Sequence, residues 1–329
     1  MRCLFPGILL TSSSGATGCE AVPAGSDAPG RRIYEPSSLC VLRGSFNAAE
    51  LWEIDPRNHQ AWLIEGPLAA ASYPSWSVDR SCIALLSRSE LLLVDTRLGR
   101  SVAISVFDPD PESEPPYPAP TWSASGREIA YTDHFGTRIA RVGVPGDSRV
   151  ERQAWYPMWL SSGDKPIHLG SPELSRRESK EERYVGRLWK RRTPLGPRWA
   201  RDEILVLETW LDIASQQDEH GYLWLDISRG TTTPVGEPAG ARQANVSPFG
   251  QDIAWITAEG GLWFTGRLGD HARKVTMVGP RYLDEGCWTW SPDGGELAFV
   301  HGGDVHVCDV LTGALRRITR FGDVLGVAW

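Results

Sequence analysis

His134, His220, His301 and Asp304 are the residues of this 329-residue chain that invite a chemical reading. Imidazole nitrogens and carboxylate oxygens ligate transition metals, and histidine trades a proton near neutral pH. Each is expected in a turn joining the second and third strands of a four-stranded unit, His134 directly after Asp133. Scattered His and Asp at turns are turn residues first, and no ligand spacing links these four. No His-Glu-x-x-His, Gly-x-Ser-x-Gly elbow or phosphate-cradling glycine loop occurs. The expectation is no catalytic residue, no metal and no cofactor, with a hydrolase or lyase built from those residues as the alternative.

Charge offers a second kind of site. The segment 107–120, "FDPDPESEPPYPAP", holds Asp108, Asp110, Glu112 and Glu114. The segment 170–187, "GSPELSRRESKEERYVGR", holds Arg176, Arg177, Lys180, Arg183 and Arg187. A third, 208–221, "ETWLDIASQQDEHG", follows the apolar run Ile204–Leu207. All three read as irregular loops inserted into a repeat, and function concentrates in loops on a rigid scaffold. They predict a protein or peptide docking rim; the blander reading is solvated loops that touch one another.

The elements that must position these residues come from that repeat. Trp290-Ser-Pro-Asp-Gly294 precedes the apolar run Leu297–Val300. "PSWSVDRSCIALL" around Trp76 and "PTWSASGREIAYT" around Trp122 share its grammar, and "ANVSPFGQDIAWI" keeps Ser247, Pro248 and Gly250. Copies at Trp159 and Trp199 are weaker, and the chain ends on "GVAW". Asp95 and Asp309 each lie 19 residues after their tryptophan and four before a glycine. The same offsets from Val246 land on Thr265 and Gly269, and Asp226 with Gly230 repeats the pair after Trp199. Ser-Pro-Asp-Gly suits a tight turn and the Asp–Gly pair a second one. The short runs between them, such as Ile83–Leu86 and Leu91–Val94, are apolar almost throughout, so they predict strands covered on both faces. The 15 tryptophans then pack mainly between sheets.

The Pro-x-Trp-Ser-Pro-Asp-Gly pattern resembles the TolB-like or WD40-like (PD40) β-propeller repeat over about residues 36–329. The resemblance implies an all-β fold, a single propeller of four-stranded blades used mainly for binding. Motif starts near 73, 119, 156, 196, 243 and 287, with 324–329 completing a blade begun at 39–64, give seven blades, with six as the alternative. Pairing of the C-terminal strand with the N-terminal blade would close the ring.

Residues 1–19 read as a signal peptide ending in the lipobox-like Ala16-Thr-Gly-Cys19, and 20–35 as a flexible tether. Cys19 would carry lipid, giving a periplasmic or outer-membrane-anchored lipoprotein, with simple secretion as the alternative. A net charge of −7 argues against a nucleic-acid partner, and a monomer is expected. Cys40, Cys82, Cys287 and Cys308 read as small core residues, with any disulfide pairing left open. Asn245-Val-Ser247 matches a glycosylation sequon but falls inside the repeat motif, so it is read as structural.

Overall fold

The computed structural model describes residues 38–106, 119–133, 136–152, 157–159, 166–168, 198–200, 203–212, 217–226, 229, 231–278 and 287–329, apart from positions 46, 70, 72, 88, 97 and 99. These residues form strands and turns without a helix. β1 (Leu39–Ser45), β2 (Ala48–Ile54) and β3 (Ala61–Leu68) come first, followed by β4 (Ser75–Trp76), β5 (Cys82–Ser87), β6 (Glu90–Asp95) and β7 (Arg100–Val106). Next are β8 (Thr121–Trp122), β9 (Glu128–Asp133), β10 (Gly136–Arg141) and β11 (Ser148–Arg152). β12 (Pro157–Trp159) and β13 (Pro166–His168) pair with each other. β14 (Arg198–Ala200), β15 (Glu203–Asp212), β16 (Gln217–Asp226) and β17 (Thr231–Val235) form one sheet. β18 (Ala241–Val246), β19 (Asp252–Thr257), β20 (Gly261–Gly266) and β21 (Arg273–Met277) form another. β22 (Trp288–Trp290), β23 (Glu296–His301), β24 (Asp304–Asp309) and β25 (Leu315–Arg317) form a third, and β26 (Val324–Ala328) joins β1 in the order β26-β1-β2-β3.

Six sheets are thus four-stranded antiparallel meanders, with the two-stranded β12–β13 pair beside them. The second strands β5 and β23 are buried on both faces; all six residues of β5 are buried, and Leu297, Ala298 and Phe299 of β23 leave at most 1% exposed. A strand with two dry faces has no place for alternation, which is why these runs are uniformly apolar.

One hydrogen-bonded clasp recurs in four of the sheets where the first strand turns into the second. The Ser291 amide donates to Glu296 O (2.8 Å), the Glu296 amide returns to Ser291 Oγ (2.9 Å), and the Gly294 amide closes on Ser291 O (2.9 Å). Ser77, Ser123 and Ser247 make the same three bonds, to Cys82 and Arg80, Glu128 and Gly126, and Asp252 and Gly250. All four serines are buried, so each clasp fills polar groups that no water reaches. Gly294 takes φ +73°; Arg80, at the matching place, takes φ 58°. Its guanidinium lies 4.6 Å over Trp76 and donates to Ser38 O at 2.9 Å, contacts that offset the left-handed backbone.

Sheets are joined by two further repeated ties. Trp122 Nε1 donates to Ser75 O and Trp159 Nε1 to Thr121 O, both at 3.1 Å, linking the first strands of neighbouring sheets. The turn between third and fourth strands also leans on the preceding sheet's outer strand or the residue after it. Gly146 N meets Ile104 O, Gly236 N meets Leu268 O, Arg273 Nη1 meets Leu311 O, and His59 Nδ1 meets Ile318 O. Tryptophan therefore does more than pack: its indole N–H ties one sheet to the next.

β26 pairs with β1 from Cys40↔Ala328 to Arg43↔Val324. Arg43 grips Asp323 with two bonds (3.0 and 2.9 Å), lies 4.4 Å over the Phe321 ring, and sits beside Trp52. A two-toothed guanidinium–carboxylate bond over an aromatic face is the strong form of such a contact. Leu39 and Val41 of β1, Val305 and Val307 of β24, and Val324, Val327 and Trp329 share one core cluster.

Three expectations need correction. The segment 208–221 is no irregular loop: β15 and β16 run as ten-residue strands and stay paired from Glu203↔Asp226 to Asp212↔Gln217. Its charges suggested solvent, but the β-formers Thr209, Trp210 and Leu211 continue the strand begun at Ile204. Thr265 is not the counterpart of Asp95, Asp226 and Asp309. Those three face Cys82, Glu203 and Glu296, and the residue facing Asp252 is Gly266, because the β19–β20 turn (258–260) is one residue longer than the β23–β24 turn (302–303). Finally, His220, His301 and Asp304 lie in strands rather than turns.

The four described cysteines form no disulfide. Burial pushes the Cys308 thiol up to about 11 and the buried Cys40 thiol well above its ordinary value.

Candidate functional site

In an antiparallel meander the first and third turns lie at one end of the sheet and the second turn at the other. The ties above give the sheets they join the same relative orientation. One end of the assembly therefore gathers the serine clasps and the Asp95, Asp226 and Asp309 turns, where each carboxylate caps an amide three residues on (Leu98, Arg229 and Thr312). The opposite end gathers the second-to-third-strand connections. Among the described residues these are short, except in the sheet β14–β17.

There the β15–β16 pair passes beyond its neighbours. β14 reaches Leu205 and β17 reaches Tyr222, so the five rungs from Glu208↔Gly221 to Asp212↔Gln217 stand as a two-stranded ribbon. At the usual rise it projects roughly 17 Å. His220 lies within it, registered opposite Thr209. The other expected rim residues, Asp108, Asp110, Glu112, Glu114, Arg176, Arg177, Lys180, Arg183 and Arg187, lie outside the described residues, as do His134 and Cys19.

His301 and Asp304 face each other across the Gly302-Gly303 turn. Both glycines have positive φ, as a two-residue hairpin turn of this hand requires. Asp304 is buried, and both its oxygens are engaged. Oδ1 accepts from Thr319 Oγ1 (3.1 Å) and the Gly322 amide (3.2 Å), and Oδ2 from Arg317. Burial works against its charge, yet the Gly322 amide, the Thr319 hydroxyl and Arg317 together hold the carboxyl below its ordinary value. Asp304 thus pins the chain that leads into β26. His301 is exposed and contacts Val278 O through Nδ1 at 2.8 Å.

A residue the sequence reading passed over completes this cluster. His306 stacks on Phe299 (ring centroids 5.8 Å) and meets the His301 ring edge-on at 5.6 Å. Burial lowers its pKa, with His301 and Arg317 pushing the same way against a hydrogen bond to the Asp304 backbone, so its neutral form is favoured. Its signal was the two-residue spacing Asp304-His306-Cys308, which puts all three on one face of β24. Chemically the cluster offers two imidazoles beside a guanidinium. Among the described residues no three His, Cys, Asp or Glu converge as metal ligands.

No family model and no curated protein matches the chain in sequence. Solved structures do resemble it. An oligogalacturonate lyase from Vibrio parahaemolyticus is 12% identical, covers 85% of this chain and 93% of its own, and superposes with TM-score 0.57. A functionally unknown protein from Desulfotomaculum acetoxidans is 9% identical over 89% of this chain and 98% of its own, TM-score 0.57. A chain of a nidogen/laminin complex is 10% identical over 88% of this chain and 97% of its own, TM-score 0.50. At such identities likeness speaks for fold alone. With the repeated four-stranded antiparallel sheets, it shows that this chain is an all-β protein with a β-propeller fold.

Proposed function

We propose that this propeller is a non-enzymatic scaffold that captures a protein or peptide partner at the end bearing the second-to-third-strand connections. The β15–β16 ribbon carries the reading: among the described strands it is where the repeat is lengthened into a projecting feature. Cross-tied sheets beneath it supply the rigid base on which a binding element loses least freedom when occupied. The seven sheets are read as seven blades, β12–β13 being the described part of one, and the β26–β1 pairing as closure of the ring, which removes open sheet edges. The chain is further read as an exported monomer tethered to a membrane by lipid on Cys19. A hydrolase or lyase on the same rim has less support, because both oxygens of Asp304 already hold the chain in place.

Site-specific photo-cross-linking tests the reading. Benzoylphenylalanine at Trp210 on the ribbon should trap a partner in the host cell, and the same group at Leu311, an exposed turn residue of the opposite end, should not. Adducts at Leu311 alone, or at neither position, would overturn it.

A further inference from the structure

Sheet edges invite other strands, and folded proteins blunt them with bulges, proline, shortness or charge. The outer strands here follow that rule. β3, β7, β11 and β21 each meet their neighbour through a register shift. β17 contains Pro234, and β25 is three exposed residues, two of them arginine.

The ribbon lacks bulge, proline and shortness, and its formal charges are all acidic. Its ten rungs run without a register shift, and neither strand contains proline, lysine or arginine. Over the five projecting rungs no described strand pairs with either flank. Those rungs also carry Glu208, Asp212, Asp218 and Glu219, registered opposite Gly221, Gln217, Leu211 and Trp210. The register places no lysine or arginine opposite any of the four.

We propose that the ribbon takes a lysine- or arginine-rich segment of the partner in extended form, which adds a strand to one flank. Backbone pairing supplies sequence-independent affinity, and the four carboxylates select a cationic strand. The proposal rests on the docking function above and names the partner's chemistry.

The full-length protein would be titrated with a fluorescein-labelled octapeptide of alternating lysine and valine at low salt, followed by fluorescence anisotropy. Its comparators are a glutamate–valine octapeptide and a lysine–valine octapeptide N-methylated at every residue, so that neither edge of the strand can donate. Saturable binding of the parent is expected, weakened about tenfold or more by N-methylation and by the double substitution Asp218→Lys/Glu219→Lys, and absent with glutamate. Should that variant fold poorly by thermal melting, Glu208→Gln/Asp212→Asn reads the same effect. Equal binding of the methylated peptide would reduce the interaction to charge alone and overturn strand addition. Unchanged binding by folded variants, or no saturable binding, would also overturn it. A partner still trapped through position 210 in that case leaves the docking function standing while the cationic strand falls.

Discussion

The two ends of the sheets are built on different terms. At one end the same clasp recurs at Ser77, Ser123, Ser247 and Ser291, with the same amide-to-hydroxyl and amide-to-carbonyl bonds each time. At the other the connections range from the Gly302-Gly303 turn to a ribbon five rungs tall. The clasps sit among buried polar groups, where an unmade bond costs its full desolvation. The ribbon adds its own rungs and asks nothing of its neighbours, so its length is free to change. Rigidity at one end permits variation at the other.

That contrast can be broken most forcefully at the clasps. Ser291→Ala and Ser247→Ala each leave an amide without its hydroxyl acceptor, and each should lower stability by about 1–3 kcal/mol in urea unfolding. The exposed Ser101→Ala serves as reference and should stay within about 0.5 kcal/mol. If the buried and exposed serines behave alike, the clasp is not what holds that end.

The contact between β1 and the segment entering β26 should come next. A double-mutant cycle on Arg43→Ala and Asp323→Ala should give a coupling of about 1 kcal/mol, restrained by the partial exposure of both side chains. A coupling indistinguishable from zero would mean that strand pairing and the core cluster hold this junction without help from the ion pair.

Acid should weaken the clasped end. The Ser291 hydroxyl, then the Gly295 amide, hold the Asp293 carboxyl below its ordinary value. The Thr312 amide and hydroxyl do so for Asp309. At Asp79 burial opposes the charge, but the Ser77 hydroxyl and the Ser81 amide and hydroxyl outweigh it. A carboxyl whose folded pKa is lowered stabilises the fold above its unfolded pKa of about 3.9, and that share drains as pH falls through the lower folded value. Urea midpoints followed from pH about 6 to about 3 should therefore fall, and Asp293→Asn should make the fall shallower. An unchanged slope would detach these carboxylates from the stability of the turns.

The smallest effect sharpens the comparison from the other side. Replacing 209–220 by a two-residue turn should move stability by no more than about 0.5 kcal/mol while abolishing capture at the rim. A loss comparable to that of Ser291→Ala would show that the ribbon supports the fold and is no appendage.

How much of this was legible in the sequence depends on the range of the interaction responsible. Strand identity and turn positions come from local preferences, a few residues long. Trp-Ser-Pro-Asp-Gly before an apolar run, and Asp before a glycine four residues on, announced both turns of a unit. Uniformly apolar runs announced strands buried on both faces. The serine's part as the recurring element, more constant than proline or aspartate, was visible once its bonds to the residue five ahead were known. Sequence offsets misled at Thr265, where one added turn residue moved the register and left Gly266 opposite Asp252. Charge misled at 208–221, because exposed strands and loops have similar composition and only cross-strand pairing tells them apart.

By itself, then, the sequence determined a repeated β unit, its two tight turns and the buried character of its strands, since each follows from the preferences of adjacent residues. The tertiary structure alone decided which turns share an end, that Asp304 is spent on the approach to β26, that His306 joins His301, and that one strand pair outgrows its sheet. Those facts depend on the register and length of paired strands and on how sheets meet, and the preferences of adjacent residues fix neither.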